Sequence, residues 1–236
     1  MFRTAAVCTF LVLASVSQPA RADAKGDAEA AAKKLSDASS YAWTSKTEGG
    51  FGGGTFDGKA EKDGFAVVSM SFANNNIELV KKGDKGAIKM EDGWKSFDEA
   101  SEGAGDGQPN RGRFIAGMLR NYKAPAAVTQ QLVSFGKEIK SSGADAFETE
   151  LTEAGAKEML SFRGRQGGEA PAISGAKGTA KFWVKEGVVS KVEYRLQGSI
   201  NFNGQDRDVD RTTTIEIRDV GTAKVDVPEE AKKKAS

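Results

Sequence analysis

The fold is decided by residues 191–202, which read KVEYRLQGSINF. Polar and apolar side chains alternate along this stretch. One face of an extended chain would carry Val192, Tyr194, Leu196, Ile200 and Phe202, and the other Lys191, Glu193, Arg195 and Gln197. A period of two residues is typical of a β-strand that has one face in the core and the other in water. We therefore predict such a strand here.

Tight turns flank this strand on both sides. Glu186-Gly187 precedes it and Asn203-Gly204 follows it, and such pairs favour two-residue hairpin loops. The segment before the first turn covers residues 179–185, and the segment after the second contains Ile215 and Ile217. The sequence thus predicts an antiparallel meander in the C-terminal part of the chain.

Residues 41–97 have a similar organisation. Short apolar segments are separated by four Asp-Gly or Gly-Asp pairs, at 57–58, 63–64, 83–84 and 92–93, and each pair predicts a hairpin turn. In one segment Ala66, Val68, Met70 and Phe72 share a face, whereas Ser69 and Ser71 occupy the opposite one. This alternation predicts a second run of antiparallel strands with an apolar side.

Helical patterns lie before and between the two strand regions. We predict a first helix over residues 28–36 with Asp27 as its N-cap, and a later one over residues 153–162 capped by Thr152. Apolar residues at three-to-four-residue spacing between 114 and 139, interrupted at Pro125, predict two further short helices. The fold class is therefore α+β, with a large curved antiparallel sheet, an incomplete β-barrel, covered by a few helices.

The N-terminus has the pattern of an export signal. Arg3 precedes the apolar stretch 5–16, and Ala20-Arg21-Ala22 provides a small-x-small cleavage site. This apolar stretch is too short to span a bilayer, which takes about 20 residues. We expect cleavage after Ala22 by the bacterial Sec pathway, a periplasmic or secreted protein without stable membrane insertion, and a single half-barrel domain over residues 23–236. Cys8 lies within the apolar stretch, so a lipid anchor is not expected.

Composition excludes several classes of function. Cys8 leaves with the signal and the chain has no His, so disulfides, thiolate nucleophiles, Ser-His-Asp triads and the common zinc sites are excluded. Without Arg3 and Arg21, 32 basic residues face 33 acidic ones, a net charge of −1. Charges of both signs are interspersed, which argues against nucleic-acid binding. We expect no metal and no cofactor.

Several short motifs point to a known family. They are KGDK at 82–85 with DGW at 92–94, FWVKEG at 182–187, and the ending DVGT at 219–222 with VDVPEEA at 225–231. These motifs and the order of elements resemble the LolA/LolB-like lipoprotein-carrier superfamily, with the LppX/LprG-like lipid-binding branch the most similar. The resemblance implies an incomplete barrel whose helices cover an apolar cavity that carries acyl chains. The missing anchor Cys and the polar stretches around Gly103 and Gly168 depart from the pattern.

Alternation gives the candidate ligand residues on the inner side of the sheet. They are Val68, Met70, Phe72, Phe182, Val184, Tyr194, Leu196, Ile200 and Phe202. An apolar stripe on a strand is more often ordinary core than cavity lining, so both interpretations stay open. The three tryptophans, Trp43, Trp94 and Trp183, are expected to plug the barrel.

Three functions remain to be compared. The leading hypothesis is an exported, non-catalytic binding or carrier protein for a lipid, an acylated protein or another hydrophobic ligand. The alternative is a structural or sensory envelope protein that binds a protein partner through the same sheet. The third is an enzyme that uses a same-face acidic pair such as Glu148 and Glu150. We expect no enzyme, because same-face glutamates are common on solvated strands.

Residues 99–113 are predicted to form a polar loop, which is either a gating lid or a disordered loop.

Overall fold

The computed structural model describes residues 23–50, 53–72, 75–102, 116–117, 119–161, 171–202 and 204–236, and only the backbone of Phe72, Asn75 and Phe202. The predicted signal lies outside these residues, as does the predicted loop 99–113 from residue 103 onward. Residues 99–102 belong to a helix, so the loop prediction was wrong for these four residues. Within the described residues one sheet contains eleven strands. They are β1 (Ser40–Gly49), β2 (Gly54–Glu61), β3 (Ala66–Phe72), β4 (Asn75–Lys82), β5 (Lys85–Met90), β6 (Gly93–Ser96), β7 (Lys140–Gly143), β8 (Ala146–Glu150), β9 (Ile173–Lys185), β10 (Val188–Phe202) and β11 (Gln205–Arg218).

The sheet consists of two meanders that share a seam. Its strand order is β6-β5-β4-β3-β2-β1-β11-β10-β9-β8-β7, and the strand pairs are antiparallel. The seam is the β1–β11 pair, in register from Ala42 opposite Arg218 to Gly49 opposite Arg211. The sheet does not close, because β6 and β7 form its two edges. The predicted α+β class with a large open antiparallel sheet is confirmed.

Three of the four predicted Asp-Gly or Gly-Asp turns lie between strands, and one does not. The pairs at 63–64, 83–84 and 92–93 fall at the β2–β3, β4–β5 and β5–β6 connections. Asp57 and Gly58 instead lie within β2, where Gly58 is opposite Trp43 of β1. The prediction was wrong there because Gly58 leaves space for the Trp43 ring and does not bend the chain. Glu186 and Gly187 do form a turn, with φ of 56° and 77°, as expected of a type I′ hairpin.

Five helices are described as complete elements in these residues, namely α1 (Ala24–Asp37), α2 (Phe97–Glu102), α3 (Pro125–Phe135), α4 (Glu153–Leu160) and α5 (Glu229–Lys234). The first begins earlier than predicted, because Asp23 is its cap and accepts a hydrogen bond from Gly26 N at 2.8 Å. Thr152 caps α4 as predicted. None of the described helices is long and apolar enough to cross a membrane.

The two faces of the sheet support two separate cores. The main core lies on what we call the inner face, where buried strand side chains pack with those of α1, α3 and α4. A smaller core lies on the outer face, where Val80, Ala87 and Trp94 pack against Ala231 and Ala235. Neighbouring strand residues point to opposite faces, so Leu79 and Val80 belong to different cores. The predicted charged tail thus includes α5, a short helix that covers one outer edge of the sheet.

Candidate ligand-binding site

The predicted ligand residues whose side chains the structure describes lie together on the inner face. Five of them, Val68, Met70, Phe182, Leu196 and Ile200, are buried in the main core. Val184 and Tyr194 are half-buried and pack against it. The side chains of Phe72 and Phe202 lie outside the described residues. These residues therefore share one buried face, as the alternation predicts, and their role as cavity lining stays a prediction.

Helix α1 covers part of this face through small side chains. Its buried residues are Ala28, Ala31, Ala32 and Leu35, so a single large side chain anchors it. Alanine has the highest helix propensity, which explains why this segment is helical although it buries little. Burial of these four side chains stabilises the docked helix by on the order of 5 kcal/mol. The helix is thus a weakly attached cover compared with the strands beneath it.

A cleft of about 300 Å³ opens beside α1 at the ends of β8 and β9. Apolar atoms of Ala31, Phe147 and Val184 contribute to its wall. Charged groups also line it, with Asp27 and Lys34 on the helix and Asp145 at the β7–β8 turn. An apolar wall next to charged groups suits a molecule that has a hydrocarbon part and a polar end. The cleft lies at the lower limit of small-molecule sites, which span roughly 300–1,000 Å³.

An aromatic cluster lies further along the inner face. The rings of Tyr41 and Trp43 on β1 are 5.5 Å apart between centroids, and Phe56 stacks on Tyr122 at 6.0 Å. The Tyr41 hydroxyl accepts a long hydrogen bond of 3.4 Å from Ala126 N, at the start of α3. Burial raises the pKa of Tyr41 and of Tyr122 above the ordinary value. Both hydroxyls are therefore neutral groups inside the protein.

Trp43 is fully buried at the centre of this cluster. Its indole Nε1 has no hydrogen-bond partner among the described residues. Trp43 lies close enough to the Tyr122 hydroxyl to favour its ionised form, which partly opposes the effect of burial on the Tyr122 pKa. The pair nevertheless does not reach hydrogen-bond geometry. An unsatisfied buried donor is uncommon in native proteins and calls for an explanation.

Residues 119–124, which we call the connecting segment, are held against the sheet by one ammonium group. Lys81 Nζ of β4 donates to the carbonyl oxygens of Leu119, Arg120 and Tyr122, at 3.4, 2.6 and 2.9 Å. These three bonds use all three donors of the ammonium group. Burial lowers the pKa of Lys81, and the charge of Asp84 partly opposes this. The Lys81 contacts place Tyr122 beside Phe56 and Trp43.

A larger and more polar groove of about 690 Å³ lies at β8, β9 and β10. It contains both members of the predicted acidic pair, Glu148 and Glu150, together with Lys181, Glu193 and Arg195. Glu148 of β8 and Lys181 of β9 are direct cross-strand neighbours. Glu150 forms an ion pair of 3.2 Å with Lys137. The two glutamates share one face as predicted. Cations stand beside both of them, as on an ordinary solvated strand surface.

No protein-family model and no curated protein matches this chain. It is similar to the crystal structure of the lipoprotein LppX from Mycobacterium tuberculosis, with 10% identity and a TM-score of 0.45 over 87% of this chain and 98% of LppX. It is also similar to LprF from Mycobacterium bovis, with 12% identity and a TM-score of 0.45 over 90% and 99%. A DUF1329 family protein from Desulfovibrio piger is also similar, with 10% identity and a TM-score of 0.31. That match covers 88% of this chain and 95% of the DUF1329 protein.

Sequence analysis missed the polar part of the inner face. Trp43 does fill the interior as expected, but Trp94 packs in the outer core and Trp183 lies beside Lys181 and Lys191, so neither plugs a barrel. Tyr41 and Tyr122 were not singled out, although they meet at Trp43. The two tyrosines are 81 positions apart in the chain, and no local pattern marks that encounter.

Proposed function

We propose that this chain is an exported, non-catalytic protein that binds or carries a lipid, an acylated protein or another hydrophobic ligand in the cell envelope. The observation that carries the proposal is the apolar inner face beneath a helix, α1, that is attached mainly through alanines. Such a face can exchange its helical cover for a hydrocarbon chain, because both bury the same kind of surface.

The magnitudes favour a long acyl chain. Burial of a hydrocarbon gains about 0.8 kcal/mol per methylene, so ten methylenes gain about 8 kcal/mol. The buried side chains of α1 gain on the order of 5 kcal/mol by the same measure. A chain of ten or more methylenes therefore outweighs the loss of the α1 contacts, whereas a chain of four does not. Length, more than headgroup chemistry, would decide which ligands displace the cover.

The cleft beside α1 is the proposed entry point. Its wall includes Val184, one of the predicted ligand residues, and charged side chains stand at its rim. Ala30 lines the same cleft and is exposed. A bulky side chain at this position would fill the mouth without disturbing the core, which makes the entry point testable.

The first test is native mass spectrometry, with organic extraction, of the protein purified from the exported fraction of its host. A stoichiometric lipid or acylated peptide supports the proposal and names the ligand class. We then expect Ala30→Trp to slow uptake of a fluorescent fatty acid several-fold, and Glu29→Trp, the adjacent exposed position, to leave it unchanged. A clean apo mass, with no uptake of added lipids or apolar fluorophores, would contradict the proposal.

The alternative is a structural or sensory envelope protein that binds a protein partner through the sheet. The polar groove with Glu148, Lys181 and Arg195 favours it, because mixed charges of this kind are typical of the rim of a protein interface. An apo protein that captures no lipid but forms a stoichiometric complex with an envelope protein, lost on Lys181→Glu, would support this function instead.

A further inference from the structure

We propose that Trp43 Nε1 is a hydrogen-bond donor for a neutral carbonyl oxygen of the ligand, so that the preferred ligand is an acyl ester rather than a plain hydrocarbon or an ether lipid. This inference rests on the proposed function. It concerns a polar point within the apolar face, and it names the chemical group that this point would recognise.

The first step is the unsatisfied donor itself. Trp43 is fully buried, and its N–H has no partner among the described residues. An unsatisfied buried donor costs free energy that a partner would restore. An indole N–H can only donate, so the missing partner is an acceptor. A methylene chain offers no acceptor, whereas a carbonyl oxygen offers two lone pairs.

The second step concerns the charge of that acceptor. Among the described residues, the side chains that influence the pKa of Tyr122 are Trp43, Tyr41 and Tyr194, and none of them is a cation. Lys81 donates to the backbone carbonyls of the connecting segment with all three of its donors, and Arg120 of that segment is paired with Asp98. A buried phosphate or carboxylate would require a free cation. The surroundings therefore favour a neutral oxygen over an anionic one.

The third step is the position of the donor. Trp43 packs in the main core together with Val68 and Met70, two of the predicted ligand residues. The half-buried rings of Phe56 and Tyr122 lie on the same face. A carbonyl that meets the indole N–H would thus have hydrocarbon surface next to it. In an acyl ester the carbonyl and the methylene chain are adjacent, which matches this arrangement.

Access to Trp43 depends on the contacts of Tyr41 and Tyr122. Tyr41 binds the start of α3 through a hydrogen bond of 3.4 Å, near the limit for such bonds. Tyr122 belongs to the connecting segment that Lys81 holds. A ligand that displaces the Tyr122 ring would bring its carbonyl oxygen to the Trp43 N–H in place of the Tyr122 hydroxyl. Both groups are neutral, and the carbonyl would have the better hydrogen-bond geometry.

The test compares two lipids that differ in one group. Dipalmitoyl phosphatidylglycerol carries ester carbonyls, and its dihexadecyl ether analogue has chains of the same length without them. Displacement of a bound apolar fluorophore gives both dissociation constants. We expect wild-type protein to bind the diester at least about fivefold more tightly. Trp43→Phe should bind both lipids equally, and Trp94→Phe, the same substitution in the outer core, should keep the preference.

A second variant removes the N–H with little change of shape. In a Trp94→Phe, Trp183→Phe background, incorporation of benzothienylalanine in place of tryptophan exchanges only the Trp43 N–H for sulfur. Loss of the preference for the diester in this protein supports the Trp43 N–H as the donor even if Trp43→Phe fails to fold. A preference that persists in this protein overturns the inference. Equal binding of both lipids by the wild type overturns it while leaving the carrier proposal intact, and binding of neither overturns both.

Discussion

Gly58 lies against the indole ring of Trp43, and a β-carbon at position 58 would stand only 2.2 Å from Cζ2 of that ring. The two residues are direct cross-strand partners on β2 and β1. Trp43 can therefore lie flat across the neighbouring strand only because residue 58 has no side chain. This contact places the indole at the centre of the inner face, where its Nε1 is buried without a hydrogen-bond partner among the described residues.

Gly58→Ala should destabilise the protein by about 1–3 kcal/mol, because the added methyl group overpacks a filled site. Chemical denaturation monitored by tryptophan fluorescence measures the free energy of unfolding. Gly83→Asn is the control, since a β-carbon at Gly83 would meet no atom of the described part of the chain within 4 Å and asparagine tolerates its φ of 59°. A Gly58→Ala protein as stable as Gly83→Asn would show that the Trp43 ring adjusts easily.

Stability should fall at alkaline pH through Tyr41 and Tyr122. Burial raises the pKa of both hydroxyls in the folded protein above the ordinary value of 10.0. Above pH 10 the unfolded chain therefore binds fewer protons than the folded one, and the free energy of unfolding decreases by about 1.4 kcal/mol per pH unit for each tyrosine. Denaturation series between pH 9 and 12 measure this slope. Tyr122→Phe should make it shallower, and an unchanged slope would contradict the burial of that hydroxyl.

Leu35→Ala should weaken the attachment of α1 more than any other single truncation in that helix. Leu35 is the one large buried side chain there, and large-to-small changes at such sites cost about 2–5 kcal/mol. If α1 is the displaceable cover, the variant should also take up a fluorescent fatty acid faster than the wild type. Lys33→Ala, on the exposed side of α1, is the control. Lower stability with unchanged uptake would argue against α1 as the cover.

Removal of residues 229–236 should expose the outer core. Ala231 and Ala235 pack against Val80, Ala87 and Trp94, and Lys234 forms an ion pair with Glu99. The truncated protein should show a red-shifted Trp94 emission in a Trp43→Phe, Trp183→Phe background, and it should self-associate in size-exclusion chromatography. The same background with Lys233→Ala should behave like the full chain. An unchanged emission would mean that α5 contributes little to this core.

Local patterns in the sequence were sufficient to predict most of the fold. The alternation along residues 191–202 predicts a strand with one buried side, and β10 carries Val192, Leu196 and Ile200 in the main core. Thr152 predicts the start of α4, and Glu186-Gly187 predicts a hairpin turn. These features succeed because alternation, capping and turn chemistry act between residues close in the chain. The predicted export signal depends on local pattern in the same way, and it stays a prediction.

Only the tertiary structure decided the rest, because the rest depends on residues that are distant in the chain. An Asp-Gly pair has the same local preference for a turn at 57–58 as at 63–64. At 57–58 the pair lies within a strand instead, because β1 pairs with β2 and the Trp43 ring packs over Gly58. The charged tail becomes a helix over Trp94 because the outer face of β4–β6 offers Ala231 and Ala235 an apolar surface. Trp43, Tyr41 and Tyr122 meet only after β1 has paired and Lys81 has fixed the connecting segment. The sequence by itself therefore determined which face of the sheet is apolar. Long-range packing determined where the polar groups of Trp43, Tyr41 and Tyr122 come together on that face.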